Sequence, residues 1–155
     1  MTTARNAAWT ESFFQKAYPN TAGNTINAGD MIYYDSSTKD VKALDSDAHA
    51  QYFVGVAGQT SPITVYGSTA NTSIVALQNQ RVKLLAANGV TFTPEEPVYY
   101  TTNAQTVTNV PGNYIVGFVA NIPGDSQQSL VGTGSNYILI DLAHAYPTRA
   151  YTLDK

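Results

Sequence analysis

The chain carries one pattern twice, and no other feature constrains its fold as much. Ile26-Asn27-Ala28-Gly29-Asp30-Met31-Ile32-Tyr33-Tyr34 is followed by Tyr52-Phe53-Val54-Gly55-Val56-Ala57 and then Ser73-Ile74-Val75-Ala76-Leu77. In the same order, Phe92-Thr93-Pro94-Glu95-Glu96-Pro97-Val98-Tyr99-Tyr100 precedes Tyr114-Ile115-Val116-Gly117-Phe118-Val119-Ala120 and Tyr137-Ile138-Leu139-Ile140. Ile32, Tyr33, Tyr34 and Val41 map onto Val98, Tyr99, Tyr100 and Val107 with a single shift of 66 residues. The shift is 62 from Tyr52 to Tyr114 and 64 from Ile74 to Ile138. Both length changes fall in polar or Gly/Pro-rich stretches, where insertions are tolerated. Two copies are too few for a solenoid or propeller. The pattern predicts two similar halves, about residues 26–85 and 90–142, closing on one another as a small β-barrel or sandwich of short antiparallel strands.

Within each half the strand signals are short alternating runs separated by turn residues. Met31 to Tyr34 and Val41 to Leu44 read as a hairpin, repeated by Val98 to Thr101 and Thr106 to Val110. Gly29 supplies freedom for a turn before Asp30, and its equivalent Glu95 breaks that pattern. Pro97 restricts its strand to an edge or starting position. The nearly all-apolar runs Tyr52 to Ala57 and Tyr114 to Ala120 predict buried central strands. Their single glycines, Gly55 and Gly117, predict a bulge or a close backbone approach. Further strands are expected at Ile63 to Tyr66, Ser73 to Leu77 and Gln80 to Leu85, and residues 123–136 are expected to form a long exposed loop.

At 155 residues the chain suits one domain. Residues 1–25 form an N-terminal arm whose rings Trp9, Phe13, Phe14 and Tyr18 fall broadly on one side of a short helix, Ala7 to Ala17 with Asn6 as N-cap. Residues 143–155 form an extended C-terminal tail carrying Tyr146 and Tyr151. These six aromatics are the candidate partner-binding residues, able either to complete the chain's own core or to dock into a neighbour, as large rings do at interface centres.

Only 12% of residues are charged, the net charge is −3 and no Lys/Arg cluster occurs. That balance lacks the footprint of a nucleic-acid or anionic-lipid binder. There is no apolar run of about 18 residues to span a membrane. No apolar core of a signal peptide follows Met1, so synthesis in a cytoplasm is expected. Cysteine is absent, which removes disulfides and thiolate chemistry.

Catalytic signals are sparse. A Ser or Thr nucleophile needs a base, and the two histidines, His49 and His144, sit in no recognisable motif. Nucleophile-elbow, phosphate-loop and dinucleotide patterns are missing. Glu95-Glu96 reads as a surface pair. Asp45-x-Asp47-x-His49 has the best metal-ligand spacing, with Asp30, Asp35 or Asp40 as candidate additional ligands, but lacks the EF-hand glycine and terminal glutamate. A solvated turn is the simpler reading. No catalytic, cofactor-binding or metal-ligating residue is assigned, and no enzymatic activity is expected.

The Ala28-Gly29-Asp30-Met31-Ile32-Tyr33-Tyr34, Val54-Gly55-Val56-Ala57 and second Val-Tyr-Tyr to Val-Gly-Phe-Val-Ala passages resemble the small β-barrel capsid decoration (cement) proteins of tailed bacteriophages, over about residues 26–142. Glu95-Glu96 and the aromatic arm depart from that likeness. The resemblance implies a structural virion protein on the outer capsid surface that bridges neighbouring major capsid subunits. It also implies a homo-oligomer, with a trimer favoured. Another virion component (tail, baseplate or head-fibre base) and a carbohydrate-binding or adhesin module are the alternatives.

Overall fold

The structure, a computed structural model, describes residues 14–65, 68–70, 73–101, 105–112, 114–121 and 130–142. Its elements in the first half are strands β1 (Gln15–Pro19), β2 (Met31–Asp35), β3 (Asp40–Ala43), β4 (Phe53–Ala57), β5 (Ile63–Val65), β6 (Ser68–Ala70) and β7 (Ser73–Leu77), with one helical turn, α1 (Asp47–Ala50), between β3 and β4. The second half contributes β8 (Arg81–Ala86), β9 (Thr91–Phe92), β10 (Pro97–Tyr100), β11 (Thr106–Thr108), β12 (Ile115–Val119), β13 (Leu130–Val131) and β14 (Tyr137–Leu142). The protein is all-β. One five-stranded sheet has the order β1-β7-β4-β2-β3, and β8-β14-β12-β10-β11 close into a barrel.

The duplication is visible in the register itself. Ile32 stands opposite Gly55 and Tyr33 opposite Phe53, with a bulge between. Val98 stands opposite Gly117 and Tyr99 opposite Ile115, with the bulge at the same step. The hairpin pair Tyr34 and Val41 recurs as Tyr100 and Val107. Positive φ recurs as well, at Gly23 and Gly89, Gly29 and Glu95, and Lys39 and Gln105. Glu95 therefore does not interrupt the turn. Its N–H donates to Val119 O at 2.8 Å as that of Gly29 does to Ala57 O. Glu96 accepts from the Thr93 N–H as Asp30 accepts from that of Asn27. A left-handed non-glycine residue holds the turn because the same hydrogen bonds fix it.

Three expectations are corrected by the strand pairing. The helix Ala7 to Ala17 is not formed where it can be seen, since Gln15–Pro19 is strand β1; the rest of it lies outside the described residues. Every residue of β1 pairs along β7, from Gln15 opposite Leu77 to Pro19 opposite Ser73. That long-range ladder satisfies the backbone groups a helix would have used and outweighs local spacing. β1 is also part of the repeat. Tyr18 opposite Ile74 corresponds to Leu84 opposite Ile138, so β8, expected at the end of the first half, opens the second. The paired halves run from β1 to β7 and from β8 to β14. Within the expected 123–136 loop, Leu130 and Val131 form a strand paired to Phe92 and Thr91.

Equivalent positions fill the two interiors. Ile26, Ile32, Val41, Val54, Ile74 and Ala76 are buried in the first half, and Phe92, Val98, Val107, Val116, Ile138 and Ile140 in the second. Gly55 and Gly117 admit close strand crossings: an added Cβ would lie 2.4 Å from Leu77 O and 2.3 Å from Asp141 O respectively.

The halves differ at the seam. In the barrel, β11 runs parallel to β8, with Thr106 beside Leu85 and Val107 beside Ala86. The first half has Pro19 where Leu85 stands, and proline has no N–H for a ladder. Side chains bridge the gap instead. The buried Asp40 carboxylate accepts from Thr21 N at 2.8 Å, Ala22 N at 3.0 Å and the Thr21 hydroxyl at 3.0 Å, and Asn24 Nδ2 donates to Val41 O at 3.1 Å. The Thr21 N–H foremost, aided by Ala22 and the Thr21 hydroxyl, holds the Asp40 carboxyl below its usual range against the upward push of desolvation. A carboxylate with a depressed folded pKa contributes stability above its unfolded pKa and loses it as pH falls through the folded one. Asp40→Asn is accordingly expected to lower the melting temperature at pH 7 and to flatten its fall below about pH 4; a melting profile parallel to that of the wild type at every pH would refute the bridge.

Candidate functional site

Of the six candidate contact residues, Trp9, Phe13, Tyr146 and Tyr151 lie outside the described residues. Phe14 is 59% exposed at the start of β1, held by its carbonyl, which accepts from Gln78 N at 2.8 Å and from the Gln80 side chain. Tyr18 is half-buried and packs on the first-half core. Its ring lies 6.0 Å from that of Tyr34, with the Lys16 ammonium 5.2 Å from its centroid. Lys16, Ala17, Tyr18, Pro19, Tyr34 and Val54 together line a groove of about 370 Å³ at this end of the first sheet. Phe14 is presented to solvent, whereas Tyr18 serves the groove wall and the core behind it.

The segment bearing Asp45, Asp47 and His49 contains a helical turn. Ser46 caps α1, accepting from the His49 N–H, so the segment turns helically. His49 Nδ1 lies 2.6 Å from Asp45 Oδ1, and its ring stacks on Tyr33 at 4.4 Å and 11°. Desolvation raises the Asp45 carboxyl, but the His49 hydrogen bond and charge bring it below the usual carboxylate range. Burial, reinforced by the Asp45 charge, pushes the Tyr33 phenol up. With one ring nitrogen tied to Asp45 and one face covered by Tyr33, His49 holds the α1 turn against β2. Asp35 and Asp40, offered as further ligands, are engaged elsewhere: Asp35 with Lys42 at 2.6 Å, and Asp40 at the seam. Among the described residues no three His, Cys, Asp or Glu side chains converge as metal ligands.

A second polar site joins the two halves. Gln105, at φ +51, extends from the hairpin of the barrel to the first sheet. Its Oε1 accepts from Met31 N at 2.7 Å, and its Nε2 donates to Met31 O at 3.1 Å and Leu44 O at 2.7 Å. The Tyr100 hydroxyl donates to the same Leu44 carbonyl at 3.1 Å in a buried position. Around these bonds the outer face of the first sheet, with Met31, Tyr33, Phe53 and Val56, forms one apolar cluster with the barrel interior. β4 is buried on both faces for this reason, while Ile115 and Phe118 of β12 stay half-exposed.

Sequence reasoning passed over Gln105 and Leu44. The available signal was a change of chemistry at matched positions, since Lys39 answers to Gln105 and Val110 to Leu44 under the shift of 66.

These features define the class: an all-β protein of two fused, equivalent five-stranded modules, one an open sheet and one a closed barrel. No protein-family model, curated protein or solved structure matches the chain.

Proposed function

We propose that this chain is a structural virion protein that binds the outer surface of an assembled phage capsid and stabilises it by bridging neighbouring major capsid subunits. The observation that carries the reading is the duplicated β body itself. Its halves are joined by Gln105 and a shared apolar cluster. Exposed apolar side chains, Phe14, Tyr52, Val110, Val131 and Tyr137, are distributed along it. A rigid unit with dispersed contacts suits binding multiplied over a lattice, and the sequence likeness to capsid decoration proteins points the same way. In this reading the aromatic-bearing segments 1–13 and 143–155 reach neighbouring subunits, while residues 15–19, being β1, stay in the body. The protein acts without catalysis or a cofactor.

Mixing the purified protein with assembled, undecorated capsids and pelleting them tests the reading. Saturable co-sedimentation is expected, with loss of most bound protein when residues 1–13 or 143–155 are deleted. Full occupancy by both truncated proteins would remove the assigned role of the tails. Failure of the full chain to bind capsids, combined with capture on a glycan array, would replace the reading by a carbohydrate-binding one.

A further inference from the structure

The contact between the halves is head-to-tail. The end of the barrel that bears Tyr100 and Gln105 meets the outer face of the first sheet at Met31 and Leu44. Because the halves are equivalent, each retains one unused copy of these two surfaces. The first half keeps its own Tyr34–Lys39 end, where the groove opens. The second half keeps its own outer face, bearing Pro97 and Val110. We propose that these two surfaces bind each other between two copies of this chain, through the same contacts that join the halves within one chain.

The hydrogen-bonding groups correspond at most positions; the exception is the Leu44 N–H, which donates to Met31 O at 2.8 Å, whereas the Val110 N–H donates to Thr108 Oγ1 at 3.2 Å. Tyr34 stands where Tyr100 donates to the Leu44 carbonyl, and Val110 carries the equivalent carbonyl. Gln105 both accepts from and donates to the backbone of Met31. At the unused surfaces both acceptor and N–H are gone together: Lys39 is donor-only, and Pro97 has a carbonyl but no N–H. A Lys39 ammonium can serve the Pro97 and Val110 carbonyls as Gln105 Nε2 serves those of Met31 and Leu44, with no partner left orphaned.

Burial and charge agree with this. Leu44 is 3% exposed under the barrel, whereas its equivalent Val110 is 63% exposed. Met31, Tyr33, Phe53 and Val56 are buried, whereas Pro97, Tyr99, Ile115 and Phe118 are only half-buried. Across the internal junction Gly29 and Asp30 share a cleft with Lys83, Leu85 and Gln105. Their equivalents at the unused face are Glu95 and Glu96, and the unused end presents exposed Lys16 and Lys39. Opposite charges on the two surfaces favour this pairing and oppose a pairing of like with like. Contacts of this heterologous kind close into rings when the rotation permits and otherwise run on as filaments.

The proposal is independent of capsid binding and is tested on the purified full chain alone. Sedimentation velocity across a concentration series is expected to show self-association. Val110→Lys and Lys39→Glu each alter an exposed side chain, and each should weaken association about tenfold or more while far-UV circular dichroism and melting stay those of the wild type. Tyr34→Phe should weaken it in the same direction. The decisive sample mixes the two charge variants. Each keeps one intact surface and the two are complementary, so the mixture should form dimers at concentrations where either variant alone is monomeric. A wild-type chain that stays monomeric at all concentrations, association indifferent to both variants, or a mixture that does not pair would each overturn the proposal.

Discussion

Gly117→Ala is expected to destabilise the protein by more than about 3 kcal/mol, read as a fall in the urea unfolding midpoint. The new Cβ would lie 2.3 Å from Asp141 O and 2.7 Å from Ile140 Cγ2. Both belong to β14, which is held between β12 and β8. Relief requires β12 to move off β14, opening the barrel wall and its core, and packed interiors resist such displacement. Gly55→Ala meets the equivalent carbonyl, Leu77 O, at 2.4 Å and adds backbone strain at φ +145. A loss under about 1 kcal/mol for both would show that the strands part easily, and that neither glycine is demanded by the crossing.

The second large effect is expected for Gln105→Ala, a loss of about 2–4 kcal/mol, because its removal strips partners from Met31 N, Met31 O and Leu44 O together. Lys39→Ala makes the natural control. It changes the equivalent residue at the end of the first half, where no second module sits within the chain, and under dilute conditions should shift stability by less than about 0.5 kcal/mol. Equal effects of the two substitutions in urea unfolding would mean that Gln105 does not secure the junction.

Gly117 and Gln105 also mark how far the sequence could be read. The close approach at Gly55 and Gly117 was legible because a lone glycine in a buried apolar strand reports a local steric demand. The hairpins were legible for a similar reason, since alternation and turn residues act over a few positions. β1 was not. Gln15-Lys16-Ala17-Tyr18-Pro19 and Arg81-Val82-Lys83-Leu84-Leu85 share no residue at matched positions, and only their pairing along β7 and β14 reveals them as equivalents. The spacing of Trp9, Phe13, Phe14 and Tyr18 suggested a helix because local periodicity cannot register a distant strand edge waiting for a partner. Glu95 looked like a break because residue identity, not backbone direction, is what a sequence displays.

The candidate site divides in the same way. The Asp45/His49 proximity followed from spacing, but its stacking on Tyr33 depended on where β2 ran. Among the proposed contact residues, Phe14 and Tyr18 looked alike in sequence. Tertiary packing separated them, leaving one ring in solvent and setting the other against Tyr34.

The sequence by itself determined that the chain is all-β, that it is built from two similar halves, and where each half must admit a glycine. These are consequences of period, turn chemistry and steric room, all written within a few residues. Only the tertiary structure decided that one half closes into a barrel while Pro19 and Asp40 leave the other bridged by side chains. It alone decided that the halves meet head to tail, so that Leu44 is buried and Val110 is left in water. Those outcomes depend on which edges and faces find each other across the whole chain, and that is settled by long-range burial and hydrogen bonding, which no local pattern encodes.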